Sequence, residues 1–438
     1  MSAVASAPQG LQAALVEARA RYADRRPATR RIHLAAQGVM PGGNTRTVLH
    51  YPPFPLRVVR GAGAMLYDAD GHEYVDLLGE YTAGLFGHSE PRIVGELHRA
   101  LEDGLNFGAP NPHEARFAAL VTGRFPAIEK VRFTNSGTEA NLLAVATARV
   151  ATRRDRVMVF SGGYHGGVLS FARASSPVNA PFDYVLGVYN DIEGTRALIR
   201  EAGPTLACVL VEPMLGSGGC VPGDPEFLHM LRAETQECGA VLVLDEVMTS
   251  RFGAAGAGSM LGIRPDLMTL GKWVGGGMSF GAFGGRAGLM DLFDPSRHNG
   301  LAHAGTFNNN ILTMRAGVVA LGEVFTPDVA RDHHARGEAF RAKLNGAFAD
   351  AGVSLHASGA GSLLNIHGCA GPIKRVEDLA ASSDARKELL FFEFLDSGYY
   401  MARRGFIALS LAIDDRMLER FLEVVRQTLR RRAPLLRD

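Results

Sequence analysis

Five apolar runs that each break off at a cluster of polar or reactive residues constrain this chain more than any other feature. Val131-Arg132-Phe133-Thr134 ends in Asn135-Ser136-Gly137-Thr138, Val157 to Phe160 in Ser161-Gly162-Gly163-Tyr164-His165, and Val241 to Leu244 in Asp245-Glu246. Val209-Leu210-Val211 runs into Glu212-Pro213, and Leu267 to Leu270 into Gly271-Lys272. Helical stretches separate the runs, which is the alternation of a mainly parallel sheet with helices on both faces, an α/β architecture. Ligands of such open sheets sit at the carboxyl ends of strands, so the five endings are expected to converge on one crevice.

The 438 residues exceed one typical domain of about 100–200 residues, so more than one lobe is expected. Leu11, Leu15 and Tyr22 share one helical face, in a helix that should stop before Pro27, with Pro41-Gly42-Gly43 marking a loop beyond. Short alternating segments from Leu56 to Leu78, turning at Asp68-Ala69-Asp70-Gly71, suggest a small antiparallel sheet. Beyond Thr326, amphipathic helices at Val329 to Ala349 and Asp414 to Arg432 surround short strands near Gly361 to His367 and Phe406 to Ala412. The division this gives is 1–80 for an N-terminal arm and part of a small domain, 81–325 for a large domain, and 326–438 for a C-terminal small domain.

Composition excludes several classes. Forty-six Lys plus Arg against 45 Asp plus Glu leave a formal charge of +1, so no global field draws the chain to nucleic acid or anionic lipid, and a small-molecule substrate is the better expectation. Arg430-Arg431-Arg432 closes an amphipathic helix and reads as a solvated C-terminal end rather than a polyanion patch. Cys208, Cys220, Cys238 and Cys369 form no C-x-x-C pair, which argues against structural zinc or a disulfide framework and for a reducing cytoplasm; no metal is expected. Met1 to Arg31 has no uninterrupted apolar segment of a leader, and no run approaches the roughly 20 apolar residues that span a bilayer.

The strand ends carry the chemistry. Ser136-Gly137-Thr138 opens a good helix former, so its N–H groups and two hydroxyls suit a phosphate, although Ser136 is equally a plain N-cap. Lys272 lies between Leu267-Met268-Thr269-Leu270 and Trp273-Val274-Gly275-Gly276-Gly277, where burial would depress its pKa and make its amine a nucleophile for Schiff-base chemistry; a snorkelling structural lysine is the alternative. Asp245, after four apolar residues, needs a cationic partner, and a protonated pyridine nitrogen would serve; otherwise it caps a helix. Tyr164 between glycines stacks on a flat ring or sits in the core, and His165 is a base or a satisfied buried histidine, with no step assigned to it.

Together with Asp245-Glu246-Val247-Met248-Thr249 and Gly305-Thr306-Phe307-Asn308-Asn309-Asn310, these motifs resemble, in order, those of the class III pyridoxal-5'-phosphate (PLP) dependent aminotransferases. The likeness runs from about Gly38 to the C-terminus and is nearest the branch holding glutamate-1-semialdehyde 2,1-aminomutase and bacterial β-amino-acid (β-phenylalanine) aminotransferases. It implies a fold-type I homodimer, with a mainly parallel seven-stranded large-domain sheet, a small α+β domain from both termini, and active sites at the dimer interface. It also implies that Lys272 carries the cofactor and later a proton, Asp245 partners the pyridine nitrogen, and Tyr164 and Val247 sandwich the ring. Ser136, Gly137 and Thr138 would bind the phosphate, Thr306 would reach the phosphate of the neighbouring subunit, and Glu212 would lie beside cofactor and substrate.

Transamination and intramolecular amino transfer use the same lysine and ring, so substrate contacts must discriminate. Pro41-Gly42-Gly43-Asn44-Thr45-Arg46-Thr47 looks like the β-amino-acid version of its loop, where the arginine holds the substrate carboxylate; a loop arginine bonded to backbone carbonyls is the alternative. Two cations at Arg403-Arg404 depart from the mutase pattern, and Thr306-Phe307-Asn308-Asn309-Asn310 replaces the Thr-x-x-Gly-Asn-Pro of mutases and many transaminases and resembles the β-amino-acid branch. The resemblance therefore points to ping-pong transfer from an aromatic β-amino acid such as (S)-β-phenylalanine to a 2-oxo acid such as 2-oxoglutarate. Arg46 would take the β-amino acid carboxylate and Arg404 the oxo acid, with Arg403 as the alternative to Arg404; the aminomutase is the alternative reaction.

Overall fold

The apolar runs form the centre of a seven-stranded sheet because their side chains can be buried on both faces: every residue of Leu206–Val211, Val241–Asp245 and Leu267–Gly271 is buried. The computed structural model describes residues 9–172 and 175–437; residues 1–8, within the stretch read above for a leader, lie outside the described residues. Two units divide the chain, one of 91–336 with 374–376 and one of 1–90, 337–373 and 377–438. The boundaries fall at 90 and 337, against 80 and 325 in the division drawn from sequence.

In the unit built on 91–336 the strands lie side by side in the order Lys130–Thr134, Gly281–Gly285, Leu267–Gly271, Val241–Asp245, Leu206–Val211, Arg156–Phe160, Asp183–Gly187. Only Gly281–Gly285 runs against its neighbours. This strand is glycine-rich for a steric reason, since a Cβ on Gly281 would lie 2.0 Å from the Ser136 carbonyl oxygen and one on Gly285 2.1 Å from that of Asp266. Helix Gly137–Thr152 buries Ala140, Ala144, Val145 and Ala148 in the same core as Val159, Leu210 and Val243. Small residues on that stripe let the helix approach the strands closely.

The other unit has its own core. Helix Gln9–Asp24 buries Leu11, Leu15, Ala18 and Tyr22, and a second helix, Pro27–Gln37, begins with the proline that ends the first pattern, because proline's missing N–H costs nothing in a first turn. Val58–Ala62, Met65–Asp68 and Glu73–Asp76 make the antiparallel sheet, and Asp68 Oδ1 closes its turn by accepting from Asp70 N (2.9 Å) and His72 N (2.8 Å). A fourth strand, Tyr399–Tyr400, joins in parallel from far along the chain. A second sheet pairs His356–Ala360, Leu363–His367 and Phe406–Ala408.

Two sequence expectations change here. The last strand stops at Ala408 rather than Ala412, the backbone from Leu409 onward leaving the ladder to bond Ser362 and Leu85. The C-terminal arginines are not simply solvated. Arg431 and Arg432 pair with the buried Glu393 at 3.1 and 2.8 Å, and Arg430 with Glu423 at 3.0 Å, since a buried carboxylate demands cations from whichever helix passes it. Among the described residues no helix is long and apolar enough to cross a membrane.

Candidate active site

The strand ends of the 91–336 unit converge on a cavity of ≈ 280 Å³, just below the ~300–1,000 Å³ range of small-ligand sites. Its walls bring together Ser136, Gly137, Thr138, Tyr164, Glu212, Asp245, Val247 and Lys272. Asn141, His165, Met248 and Phe280 also line it. Thr306, Arg46 and Arg404 lie elsewhere.

One end of the cavity is a helix start. Ser136 Oγ accepts from Glu139 N at 3.2 Å, so the plain N-cap named from sequence is present, and Glu139 reaches back to Asn135 N at 2.8 Å. Capping uses Ser136 as acceptor and leaves its hydroxyl proton, with the first N–H groups of the helix, able to meet an anion. Thr138 Oγ1 accepts from Gly167 N at 3.3 Å, drawing the Tyr164-His165-Gly166 loop onto the helix. Gly166 has φ 131°, and a Cβ there would sit 2.2 Å from Thr138 Oγ1, so only glycine permits this approach.

The opposite charge lies at the end of Val241–Asp245. Asp245 is buried; its Oδ2 accepts from Asn141 Nδ2 at 2.8 Å and stands 2.8 Å from His165 Nδ1, while Oδ1 accepts from Val247 N at 3.0 Å. Thr269 Oγ1 in turn donates to Asn141 Oδ1 at 2.7 Å, and Asn141 Nδ2 to the His165 carbonyl at 3.0 Å. The carboxylate is thus fixed in place by an amide, an imidazole and a backbone N–H. His165 acquires here the partner that the sequence did not reveal, and Asn141 escaped notice altogether. Its signal was available: a polar residue inside the apolar stripe Ala140, Ala144, Ala148.

Lys272 follows the last strand residue and opens a tight turn with φ 55°, the left-handed region that costs a β-carbon-bearing residue energy and recurs at functional sites. Val247 packs on both glycines beside it: a Cβ on Gly137 would come within 2.8 Å of Val247 Cγ2 and one on Gly271 within 3.1 Å of Cγ1. Tyr164 is 42% exposed at the cavity, available to cover a flat ligand. Glu212 is buried and accepts from Tyr164 N and Gly216 N, both at 3.0 Å; burial, with the Asp245 charge, pushes its pKa up to about 7 against an opposing pull from His165. Both its oxygens are therefore engaged in holding the Tyr164 and Gly216 backbones. Glu246 points away, accepting from Ala257 N and Gly258 N at 2.8 Å, and burial raises it to about 7 as well.

In the other unit Arg46, Tyr81 and Arg404 form a cluster. The two guanidinium carbons lie 5.4 and 5.3 Å from the centre of the Tyr81 ring, which stacks on Phe406 at 5.6 Å, and Arg46 is ion-paired to Glu80. Arg403 is held by Glu388 at 3.1 Å, a carboxylate it shares with Arg19. Thr306 and Phe307 are exposed, and Asn308 of the same segment accepts from Asn135 Nδ2 at 2.9 Å.

A lysine, a buried carboxylate and a helix start on one cavity wall fit a ring that is cationic at one edge and carries an anion at the other. Comparison with known proteins agrees. The family model Aminotransferase class-III matches residues 48–370. The chain is 51% identical over 412 residues to beta-phenylalanine transaminase from Variovorax paradoxus, spanning 94% of this chain and 95% of that one. The crystal structure of the beta-phenylalanine aminotransferase from that organism superposes with a TM-score of 0.96 over 98% of this chain and 99% of that one, at 49% identity. A transaminase solved with PLP bound matches at 31% identity and TM-score 0.84, covering 94% of this chain and 98% of that one. A glutamate-1-semialdehyde aminomutase from Pseudomonas aeruginosa PAO1 shares the fold at TM-score 0.88 but only 22% identity, over 97% of this chain and 98% of that one.

Proposed function

Because the chain belongs to the class III aminotransferases, we propose that it is a PLP-dependent transaminase moving the amino group of an aromatic β-amino acid to a 2-oxo acid. The observation that carries the substrate class is the whole-length identity of 51% to beta-phenylalanine transaminase. The aminomutase likeness extends to the fold alone.

Bound, PLP supplies an aldehyde that condenses with amines and a ring that withdraws electrons from the carbon next to the nitrogen. Lys272 Nζ would hold the cofactor and, once released by the substrate amine, carry a proton to and from the amine-bearing carbon. Asp245 would face the ring nitrogen, its carboxylate oriented by hydrogen bonds from Asn141 and Val247 and by contact with His165. Ser136, Gly137 and Thr138 would take the phosphate. Tyr164 and Val247 would cover the two ring faces, and Glu212 would act by fixing Tyr164 through its backbone N–H.

We assign Arg46 to the carboxylate of the amino donor and Arg404 to that of the oxo acid. Their shared position on Tyr81 supports the assignment, as does the engagement of Arg403 by Glu388. Thr306 we assign to the phosphate site of a second copy in a homodimer; its exposure beside the 57% exposed Phe307 supports that role. All four cysteines are thiols, which supports the cytoplasm as the compartment.

The test is to add (S)-β-phenylalanine to the purified holoenzyme and follow the visible absorption of its cofactor. Bleaching that 2-oxoglutarate reverses is the expected result. No response, with turnover of glutamate-1-semialdehyde alone, would overturn the proposal in favour of the mutase.

A further inference from the structure

Arg46 already carries a carboxylate. Its Nη1 is ion-paired to Glu80, and the two side chains are 42% and 57% exposed, so the pair lies in water-accessible surroundings where such contacts are weak and readily exchanged. Glu80 reaches it through an unusual backbone. Gly79, Glu80, Tyr81 and Thr82 have φ of 53°, 46°, 51° and 86°, three of them bearing a β-carbon in a region that L-residues avoid. At Gly79 a side chain is also excluded by the Ala408 carbonyl oxygen, 2.8 Å from where a Cβ would be.

The left-handed run separates two neighbours that serve the same arginine. Tyr81 turns inward, buried on Phe406 with its ring under Arg46, while Glu80 stays outside and meets the guanidinium head-on. A chain needing only a counter-ion for a surface arginine has many unstrained ways to provide one. Here strain falls on the segment that faces the arginine assigned above to the substrate carboxylate.

We propose that Glu80 is a built-in competitor for Arg46, a carboxylate of the chain that occupies the guanidinium until a substrate carboxylate exchanges with it. Charge is conserved in the exchange: one carboxylate leaves Arg46 for water as another arrives. Glu80 thereby sets the threshold a ligand must pass, favouring acids whose apolar part is also bound and excluding small anions that offer only charge. The inference rests on the reading of Arg46 as the substrate carboxylate's partner.

The experiment measures binding to the holoenzyme by calorimetry, with 3-phenylpropanoate, which has the carboxylate but no amine to react, and its neutral amide as probes. In Glu80→Gln the acid is expected to bind about two- to fivefold tighter, the range of an exposed ion pair, with the amide unmoved and the gain shrinking as salt is raised. In the Arg46→Gln background the same change is expected to give no gain. Unchanged or weaker binding of the acid by Glu80→Gln, where Arg46→Gln alone does weaken it, would overturn the competitor role and leave the Arg46 assignment standing. If Arg46→Gln leaves the acid's affinity as it was, the assignment itself fails and the competitor role with it.

Discussion

At the scale of single residues, the site is a set of polar groups whose partners are mostly backbone or neutral side chains. Asp245 illustrates this: its two carboxylate oxygens meet Asn141 Nδ2, His165 Nδ1 and Val247 N. Asn141→Ala should cost about 1–3 kcal/mol in chemical denaturation, because it strips a bond from both Asp245 and the buried Thr269 hydroxyl. Lys272→Ala should lower transaminase turnover by at least about 10²–10⁴-fold, the usual worth of a proton carrier, while the thermal midpoint stays near that of the parent. A stability loss matching the activity loss would mark the lysine as structural.

At the scale of elements, the start of helix Gly137–Thr152 is capped by Ser136 and is the place proposed for the phosphate. Ser136→Ala removes its cap and should cost about 0.5–2 kcal/mol of stability, read from urea unfolding of the cofactor-free protein. Gly137→Ala should behave differently. Its new methyl would press on Val247 Cγ2, 2.8 Å away, displacing the residue assigned to one ring face, so the dissociation constant of PLP should rise in a direct binding measurement. Equal PLP affinity in parent and variant would show that Val247 gives way without consequence.

At the scale of the whole molecule, two carboxyls raised to about 7 by burial, Glu212 and Glu246, make stability depend on pH. Their ordinary value is 4.5, so the folded state holds these protons more tightly than the unfolded chain. The stability they contribute is full below pH 4.5 and is lost as pH rises through about 7. Glu246→Gln should therefore flatten the fall in unfolding free energy between about pH 4.5 and 7, where one such group contributes up to about 1.4 kcal/mol per unit of pH. A wild-type curve parallel to the variant's would refute the burial argument for Glu246.

The parallel sheet, the first helix, the helix opened by Ser136, the two long C-terminal helices and the convergence of Ser136, Asp245 and Lys272 were legible in the sequence, because apolar runs that must be buried on two faces leave few ways to arrange a chain. The sequence marked the first antiparallel sheet through the Asp68-to-Gly71 turn for the same local reason. The remaining features depend on residues distant in the chain. Strand Gly281–Gly285 has glycine at three of its five positions and declares itself only where Ser136 and Asp266 crowd it; Tyr399–Tyr400 is a strand only because Glu73–Asp76 offers an edge. His165 and Asn141 meet Asp245 across 80 and 104 positions, and Arg46 meets Glu80 through backbone angles that no local pattern encodes. Burial of apolar surface is written into periodicity, whereas the pairing of one polar group with another is settled by which chain segments tertiary packing brings together.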